Sequence, residues 1–252
     1  MKNTIHHGDC LEIMKLIPNG SVDMILCDLP YGTTACKWDT IIPFEALWEQ
    51  YKRVIKDNGA IVLTAAQPFT SALILSNTKM FKYSLVWQKS TISHFAQAPY
   101  RFLTEHEDIV IFSFGGCSSN ANPRMKFNPQ GLIDCNKLVK GKGHSDHRPS
   151  KKIQKPFFQT KTGYPKSVLK FNSDKAKHHP TQKPVALFEY LIKTYTNEGD
   201  TVLDNCAGSG TTGVACQNTN RNYILIEQEQ KYYDIIVNRL GVGHEFSKPL
   251  EF

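Results

Sequence analysis

No stretch of the 252-residue chain comes near eighteen consecutive apolar residues, so nothing in it reads as a membrane-crossing helix. The opening Met1-Lys2-Asn3-Thr4-Ile5-His6-His7-Gly8-Asp9 lacks a long apolar core, which disfavours a signal peptide and, with it, secretion. The seven cysteines (Cys10, Cys27, Cys36, Cys117, Cys135, Cys206, Cys216) are odd in number, scattered, and without a Cys-x-x-Cys pair. That pattern argues against a disulfide framework and a structural zinc site, and it reads as reduced thiols in a cytoplasmic protein. Global disorder is excluded as well, since 40% of residues are apolar and only 21% charged, on a chain long enough for a sizeable core.

Acidic residues are scarce in one place. Between Lys137 and Lys183 thirteen Lys or Arg face only Asp146 and Asp174, so this segment carries the net charge of +7 and the remainder is slightly acidic. Phe157, Phe158, Tyr164 and Phe171 are interleaved with its lysines, pairing phosphate neutralisers with flat rings that can stack on bases. Lys151, Lys152, Lys155, Lys161, Tyr164 and Lys166 are the candidate nucleic-acid contacts; a merely solvated loop is the plainer alternative. His144, His147, His178 and His179 fall in or beside this segment without matching Cys or carboxylate ligands, and no metal site is expected.

Short apolar runs alternate with amphipathic stretches, the signature of an α/β chain with a parallel sheet. Strands are expected at Thr4–His7, Val22–Cys27, Ala60–Thr64, Tyr83–Trp87 and Asp108–Phe112, with helices at Cys10–Leu16, Pro43–Ile55 and Pro68–Ser76. Periodicity lapses from about Gly115 to His178, which reads as an inserted region of residues 115–178 within a single domain spanning 1–252. It resumes with a helix at Pro184–Thr196, a strand at Thr201–Leu203, a helix at Gly210–Asn218, a strand at Asn222–Ile226 and a helix at Gln228–Leu240.

Two turns carry chemistry. Asp23-Met24-Ile25-Leu26-Cys27 runs into Asp28-Leu29-Pro30-Tyr31-Gly32, placing a carboxylate, a stiff turn and an aromatic ring at the carboxyl end of a strand, where ligands bind in open α/β sheets. Thr201-Val202-Leu203-Asp204 runs into Asn205-Cys206-Ala207-Gly208-Ser209-Gly210-Thr211-Thr212-Gly213, a glycine turn opening a helix. The next strand ends in Glu227, nineteen residues after Gly208, where an acidic side chain can take both hydroxyls of an adenosine ribose. Gly208–Gly213 also satisfies the Gly-x-Gly-x-x-Gly pattern of nicotinamide enzymes, so an NAD-dependent oxidoreductase competes. The late position of the turn, with 25 residues after Glu227, counts against that reading.

Asp28-Leu29-Pro30-Tyr31 resembles the Asp-Pro-Pro-Tyr motif of amino-group DNA methyltransferases, and Asp204–Thr212 resembles their Asp-Pro-Phe-x-Gly-Ser-Gly-Thr-Thr cofactor motif. His179-Pro180-Thr181-Gln182-Lys183-Pro184, Gly8-Asp9-Cys10-Leu11 and Trp87-Gln88-Lys89 are similar to further segments of the beta group, in which the catalytic motif precedes the cofactor motif. The resemblance covers residues 4–113 and 178–240 and implies a Rossmann-like methyltransferase fold in circularly permuted motif order, with a mostly parallel twisted sheet and helices on both faces. It leaves the basic middle as the target-recognition region.

That family's roles, carried over, imply methyl transfer from S-adenosylmethionine to the N6 amine of an adenine turned out of double-stranded DNA. Asp28, Leu29 and Pro30 would form the catalytic turn, with Tyr31 stacking on the base. Asp9, Cys10, Thr181, Lys183, Asp204, Ala207, Gly208, Ser209, Gly210, Thr211 and Glu227 would line the cofactor, with Thr181 and Lys183 at its carboxylate and Asp204 anchoring the loop. A homodimer, a cytoplasmic place at the nucleoid and a partner restriction endonuclease are further implications. The sequence departs from the family at Leu29, where proline is usual, and at Asn205-Cys206 in place of Pro-Phe. Cys206 reads as an apolar filler, Asp39 as a support of the catalytic loop or a plain turn residue, and Glu105, His106 and Glu107 as structural. An N4-cytosine enzyme, which in this group more often carries Ser at the position of Asp28, and a non-catalytic nucleic-acid-binding module remain the alternatives.

Overall fold

The computed structural model describes residues 2–33, 39–140, 156–174 and 182–241. Lys151, Lys152, Lys155, Thr181 and the histidines at 144, 147, 178 and 179 lie outside the described residues. The chain divides into two compact units, Met1–Asn128 with Ser167–Phe252, and Pro129–Lys166.

In chain order the elements are β1 (Thr4–His7), α1 (Cys10–Met14), β2 (Val22–Asp28), α2 (Phe44–Val54), β3 (Ile55–Ala65), α3 (Phe69–Ser76), β4 (Phe81–Ser93), β5 (Thr104–Phe112), β6 (Ile133–Val139), β7 (Phe157–Thr162), β8 (Val168–Lys170), α4 (Val185–Tyr195), β9 (Thr201–Asp204), α5 (Thr211–Asn218), β10 (Asn222–Glu227) and α6 (Gln230–Leu240). Apolar patterning finds the C-terminal halves of β3 and β5, with the end of β5 at Phe112, and the middle of β4, but not the full length of any of the three. Pairing of β4 with β5, from Phe81↔Phe112 to Ser93↔Thr104, draws polar residues into the ladder that carry no strand signal of their own.

The larger unit holds an eight-stranded sheet in the order β1-β10-β9-β2-β3-β5-β4-β8. All neighbouring strands run parallel except at β5, which is antiparallel to both β3 and β4. The chain leaves β2 toward β3 and leaves β9 toward β10, in opposite directions, so the crevice outside the carboxyl ends of β2 and β9 is the switch point of the sheet. The two chemistry-bearing turns flank that crevice. Residues 168–170, inside the aperiodic stretch, supply β8 to this sheet, whereas β6 and β7 pair antiparallel in the smaller unit.

Period-two alternation sends each strand's side chains to two separate cores. Met24, Leu26, Ala60, Val62, Ile109, Ile111, Val202 and Leu225 pack beneath α4, α5 and α6 with Leu187, Phe188, Leu191, Ile192, Ile236 and Val237. Ile25, Cys27, Ile61, Leu63, Val110, Phe112, Leu203 and Ile224 pack beneath α1, α2 and α3 with Met14, Leu47, Trp48, Tyr51, Phe69 and Leu73. β2 is buried along its length because it is covered on both faces and flanked on both edges. Of its two acidic residues, Asp28 ends the strand half-buried at the rim, while the buried Asp23 is satisfied: it accepts the Thr201 amide at 3.1 Å and pairs with Lys56 at 2.7 Å and Lys126 at 3.4 Å. Burial opposes ionisation of Asp23, but those partners prevail and hold the carboxyl below its ordinary value. Among the described residues no helix is long and apolar enough to cross a membrane.

Candidate active site

The apolar stripe facing α4–α6 changes character at the carboxyl edge of the sheet. Two residues beyond Leu26 stands Asp28; two beyond Val62, Thr64; two beyond Trp87, Lys89; two beyond Val202, Asp204; two beyond Leu225, Glu227. β5 runs the other way, so two residues before Ile109 stands Glu107. The same geometric rule that builds the core delivers six polar side chains to one rim.

Register sets the contacts. Asp28 pairs with Thr64 across the β2–β3 ladder, and the Thr64 hydroxyl donates to Asp28 Oδ1. The Tyr31 hydroxyl donates to the same oxygen at 2.7 Å, and Lys183 Nζ donates to Oδ2 at 2.7 Å. Lys183 lies 3.2 Å from Glu107 Oε2, while Lys89 donates to Glu107 Oε1 at 3.2 Å. A chain of four alternating charges, Asp28, Lys183, Glu107 and Lys89, thus crosses the rim. Burial pulls the Lys183 ammonium down, but Asp28 and Glu107 outweigh it and raise the pKa above its usual value. Burial, with the Asp28 and Glu107 charges, holds the Tyr31 phenol well above its usual range, so it stays a neutral donor.

The loop after Asp28 is fastened at three points. Leu29 turns its side chain into the core beneath α1–α3, 4% exposed, which contributes about 2 kcal/mol of apolar burial where the family's proline would stiffen the turn. The Tyr31 ring stacks on Phe69 at 5.2 Å and 28°, with Lys183 Nζ 5.7 Å from its centroid. Asp39 accepts the Gly32 amide at 2.8 Å on one oxygen and the Thr33 amide at 2.9 Å on the other. The loop-support reading of Asp39 is therefore the one its geometry matches.

Across the crevice, Asp204 Oδ1 accepts the Cys206 amide at 3.1 Å and Oδ2 accepts the Thr212 hydroxyl, which ties β9 to the first turn of α5. Between them Gly208 and Gly210 adopt φ of +54° and +80°; a Cβ on Gly210 would sit 3.1 Å from Ile236. The Gly208 amide donates to Glu227 Oε2 at 2.7 Å and the Glu229 amide to Oε1 at 2.9 Å, so Glu227 joins the end of β10 to the glycine turn. Burial raises its pKa. The Ser209 hydroxyl donates to Gln182 at 3.2 Å, and Arg239 donates to the Ser209 carbonyl at 2.9 Å. At the end of β1, Asp9 Oδ1 caps α1 by accepting the Leu11 and Glu12 amides at 2.8 and 3.1 Å.

Asn205 and Cys206 have a packing explanation. The buried Tyr51 hydroxyl donates to Asn205 Oδ1 at 2.6 Å, and Asn205 Nδ2 reaches the sulfurs of Cys10 and Cys206. Hydrogen bonding with Cys10 and Cys27, together with burial, holds the Cys206 thiol well above its usual pKa, in keeping with a filler rather than a nucleophile. Among the described residues no group of three or more His, Cys, Asp or Glu is placed to hold a metal ion.

Of the candidate residues, Asp28, Leu29, Pro30, Tyr31, Asp9, Asp204, Ala207, Gly208, Ser209, Gly210 and Glu227 fall on the ends of β2, β9 and β10 or the turns that follow β1, β2 and β9, Cys10 and Thr211 open α1 and α5, and Lys183 stands just before α4. Lys161, Tyr164 and Lys166 belong to the smaller unit, where Lys161 pairs with Asp134 and Tyr164 is 57% exposed. Thr64 and Phe69 carried no sequence signal as site residues. Glu107, read as structural, stands in the site; its offset from Ile109 and Ile111 on an apolar strand is the signal that would have found it.

Burial raises the pKa of Asp204 to about 7, against the Thr212 and Cys206 hydrogen bonds that favour its ionised form. Stability from a group raised on folding is complete below its unfolded value and is lost as pH rises through the folded one. The wild type should therefore lose on the order of 2 kcal/mol relative to Asp204→Asn between pH 5 and pH 8. Urea unfolding of both proteins across that range measures it, and a pH-independent difference contradicts it.

A family model described as DNA methylase, covering N6 and N4 enzymes, matches residues 22–238. The type II methyltransferase M.HinfI of Haemophilus influenzae is 30% identical over 265 residues, covering 94% of this chain and 68% of that protein. The DNA adenine methyltransferase YhdJ of Escherichia coli K12 is also 30% identical, over 97% of this chain and 84% of its own length. Among solved structures, the M1.HpyAVI–SAM complex superposes with a TM-score of 0.61 at 26% identity, covering 94% of this chain and 99% of the other. The cytosine-N4-specific PvuII DNA methyltransferase gives 0.68 at 15% identity, over 95% and 86% of the two chains, a likeness of fold alone.

Proposed function

The chain belongs to the N6/N4 DNA methylase family, and from that we propose that it is a site-specific DNA methyltransferase that places a methyl group from S-adenosylmethionine on adenine N6. The observation that carries the reading is the carboxylate of Asp28 at the mouth of the crevice between β2 and β9, facing a glycine turn closed by Glu227. The base follows from two lines: the relative YhdJ, named as a DNA adenine methyltransferase, and Asp rather than Ser at position 28. The fold does not choose, since a cytosine-N4 enzyme shares it.

The crevice suits the cofactor. Gly208 and Gly210 give the turn its positive-φ backbone, which leaves the main chain bare of side chains at both positions, and carboxylates stand at the ends of β1 and β10 for an amine and a ribose. Asp9 would receive the adenine amine, Glu227 the ribose hydroxyls, and Ala207, Gly208, Ser209, Gly210 and Thr211 would line the methionine part, with Cys10 beside them. When bound, S-adenosylmethionine supplies a methyl made electrophilic by its sulfonium. The protein's task is to localise the lone pair of an amine that the ring delocalises. Asp28 and the Leu29 carbonyl accept its two hydrogens and pull nitrogen toward tetrahedral geometry. Tyr31, fixed by Asp28 and Phe69, offers its ring to a base rotated out of the duplex.

The duplex would be gripped by residues 115–178, with Lys151, Lys152, Lys155, Lys161, Tyr164 and Lys166 as contacts. The hairpin between β4 and β5 exposes Ile92, Phe95, Tyr100 and Phe102, at 57, 79, 88 and 97%, around only one cation, Arg101. That apolar, weakly charged tip fits a second copy of the chain better than a phosphate backbone, and supports a homodimer. Action in the cytoplasm at the nucleoid, opposite a restriction endonuclease, completes the reading. Radiolabelled S-adenosylmethionine offered with unmethylated genomic DNA and, separately, with total RNA is the test. Label in DNA alone is expected; label in RNA alone, or none in either, contradicts it.

A further inference from the structure

Asp28 Oδ1 already accepts from Tyr31 and Thr64, so Oδ2 is the oxygen left to meet an incoming amine hydrogen, and Lys183 covers it at 2.7 Å. Oδ2 keeps a second lone pair, but with the ammonium drawing on its charge it is a weaker acceptor for an amine hydrogen than an oxygen free of Lys183. Lys183 is 6% exposed, so leaving Asp28 for nothing would strand a buried charge. Among the described residues an acceptor stands within its reach: Glu107 Oε2, 3.2 Å from Nζ, buried and outside hydrogen-bond geometry to any described donor. Its other oxygen is held by Lys89, which in turn bonds Ser93 at 3.3 Å, so the carboxylate is fixed with Oε2 toward Lys183.

We propose that Glu107 is a positioning residue that takes Lys183 from Asp28 when the target amine enters, freeing Oδ2 for the amine hydrogen while the ammonium stays paired. No proton moves in this exchange: Lys183 remains an ammonium, both carboxylates remain ionised, and a buried ion pair is replaced by another on the same lysine. Glu107 acts only through Lys183, and this role rests on the amine-methylating reading above.

A double-mutant cycle tests it, with S-adenosylmethionine affinity read by calorimetry and kcat by methyl transfer to DNA. Glu107→Gln keeps the shape but not the charge, so Lys183 stays on Asp28. The single variant should lose about thirtyfold in kcat with cofactor Kd within twofold of wild type, and Glu107→Asp should recover part of the loss. Once Lys183 is removed, Glu107 keeps Lys89 on Oε1 but Oε2 has no ammonium to take from Asp28; Lys183→Met and Lys183→Met/Glu107→Gln should then have equal kcat. If Lys183→Met does not fold, Lys183→Leu closes the cycle. Losses that multiply, or an unchanged kcat in Glu107→Gln, overturn the role of Glu107 while leaving the methyltransferase intact. A folded wild type that methylates no DNA overturns both.

Discussion

Asp28→Asn should lower single-turnover methyl transfer by a factor on the order of 100 to 1,000, while DNA retention and cofactor affinity stay close to those of the wild type. The substitution keeps size and one oxygen, and that oxygen would go to Tyr31 and Thr64, which already hold Oδ1. The side that faces Lys183 then carries an amide nitrogen, a donor in place of an acceptor. The amine's hydrogen loses its charged partner, and the lone pair remains in the ring. Asp28→Ala should be as inactive by the same reasoning. An Asn variant with wild-type turnover would remove Asp28 from the chemistry.

The second large effect falls on the cofactor. Glu227→Ala removes the acceptor of two amides, that of Gly208 at 2.7 Å and that of Glu229 at 2.9 Å, and so unfastens the glycine turn from the end of β10. It also removes the group proposed to hold the ribose. S-adenosylmethionine Kd should rise about a hundredfold, equivalent to roughly 3 kcal/mol, with a much smaller change in kcat at saturating cofactor. Calorimetric titration decides it, and an unchanged Kd would mean that Glu227 serves only the loop. The contrast between the two variants is itself informative, because Asp28 should act on turnover and Glu227 on binding.

The parts of this molecule that follow from local pattern were legible in the sequence. β2 and β9 are marked by apolar runs ending in Asp28 and Asp204, while their adjacency comes from the pairing of Met24 with Val202 and Ile25 with Leu203. Asp39 could be singled out but not assigned, since its two amide contacts to Gly32 and Thr33 depend on a loop path that no periodicity encodes. Thr64 went unmarked and Glu107 was read as structural for a different reason. Each is an ordinary polar residue on an apolar strand; the offset of Glu107 from Ile109 marks its face, and only the registers Asp28↔Thr64 and Trp87↔Glu107 set what each meets at the rim. Lys183 shows the same limit: the motif marks it, while its position between Asp28 and Glu107 is a property of where α4 packs on the sheet. β8 has three residues and takes its place from pairing with Val86–Gln88 rather than from its own composition.

The identity of the methylated nucleoside tests the central claim most directly. DNA modified by the purified protein, digested to nucleosides and resolved by mass and chromatography, should contain N6-methyladenine and no other new methylated base. N4-methylcytosine in its place would keep the lone-pair chemistry of Asp28 but contradict adenine as the substrate.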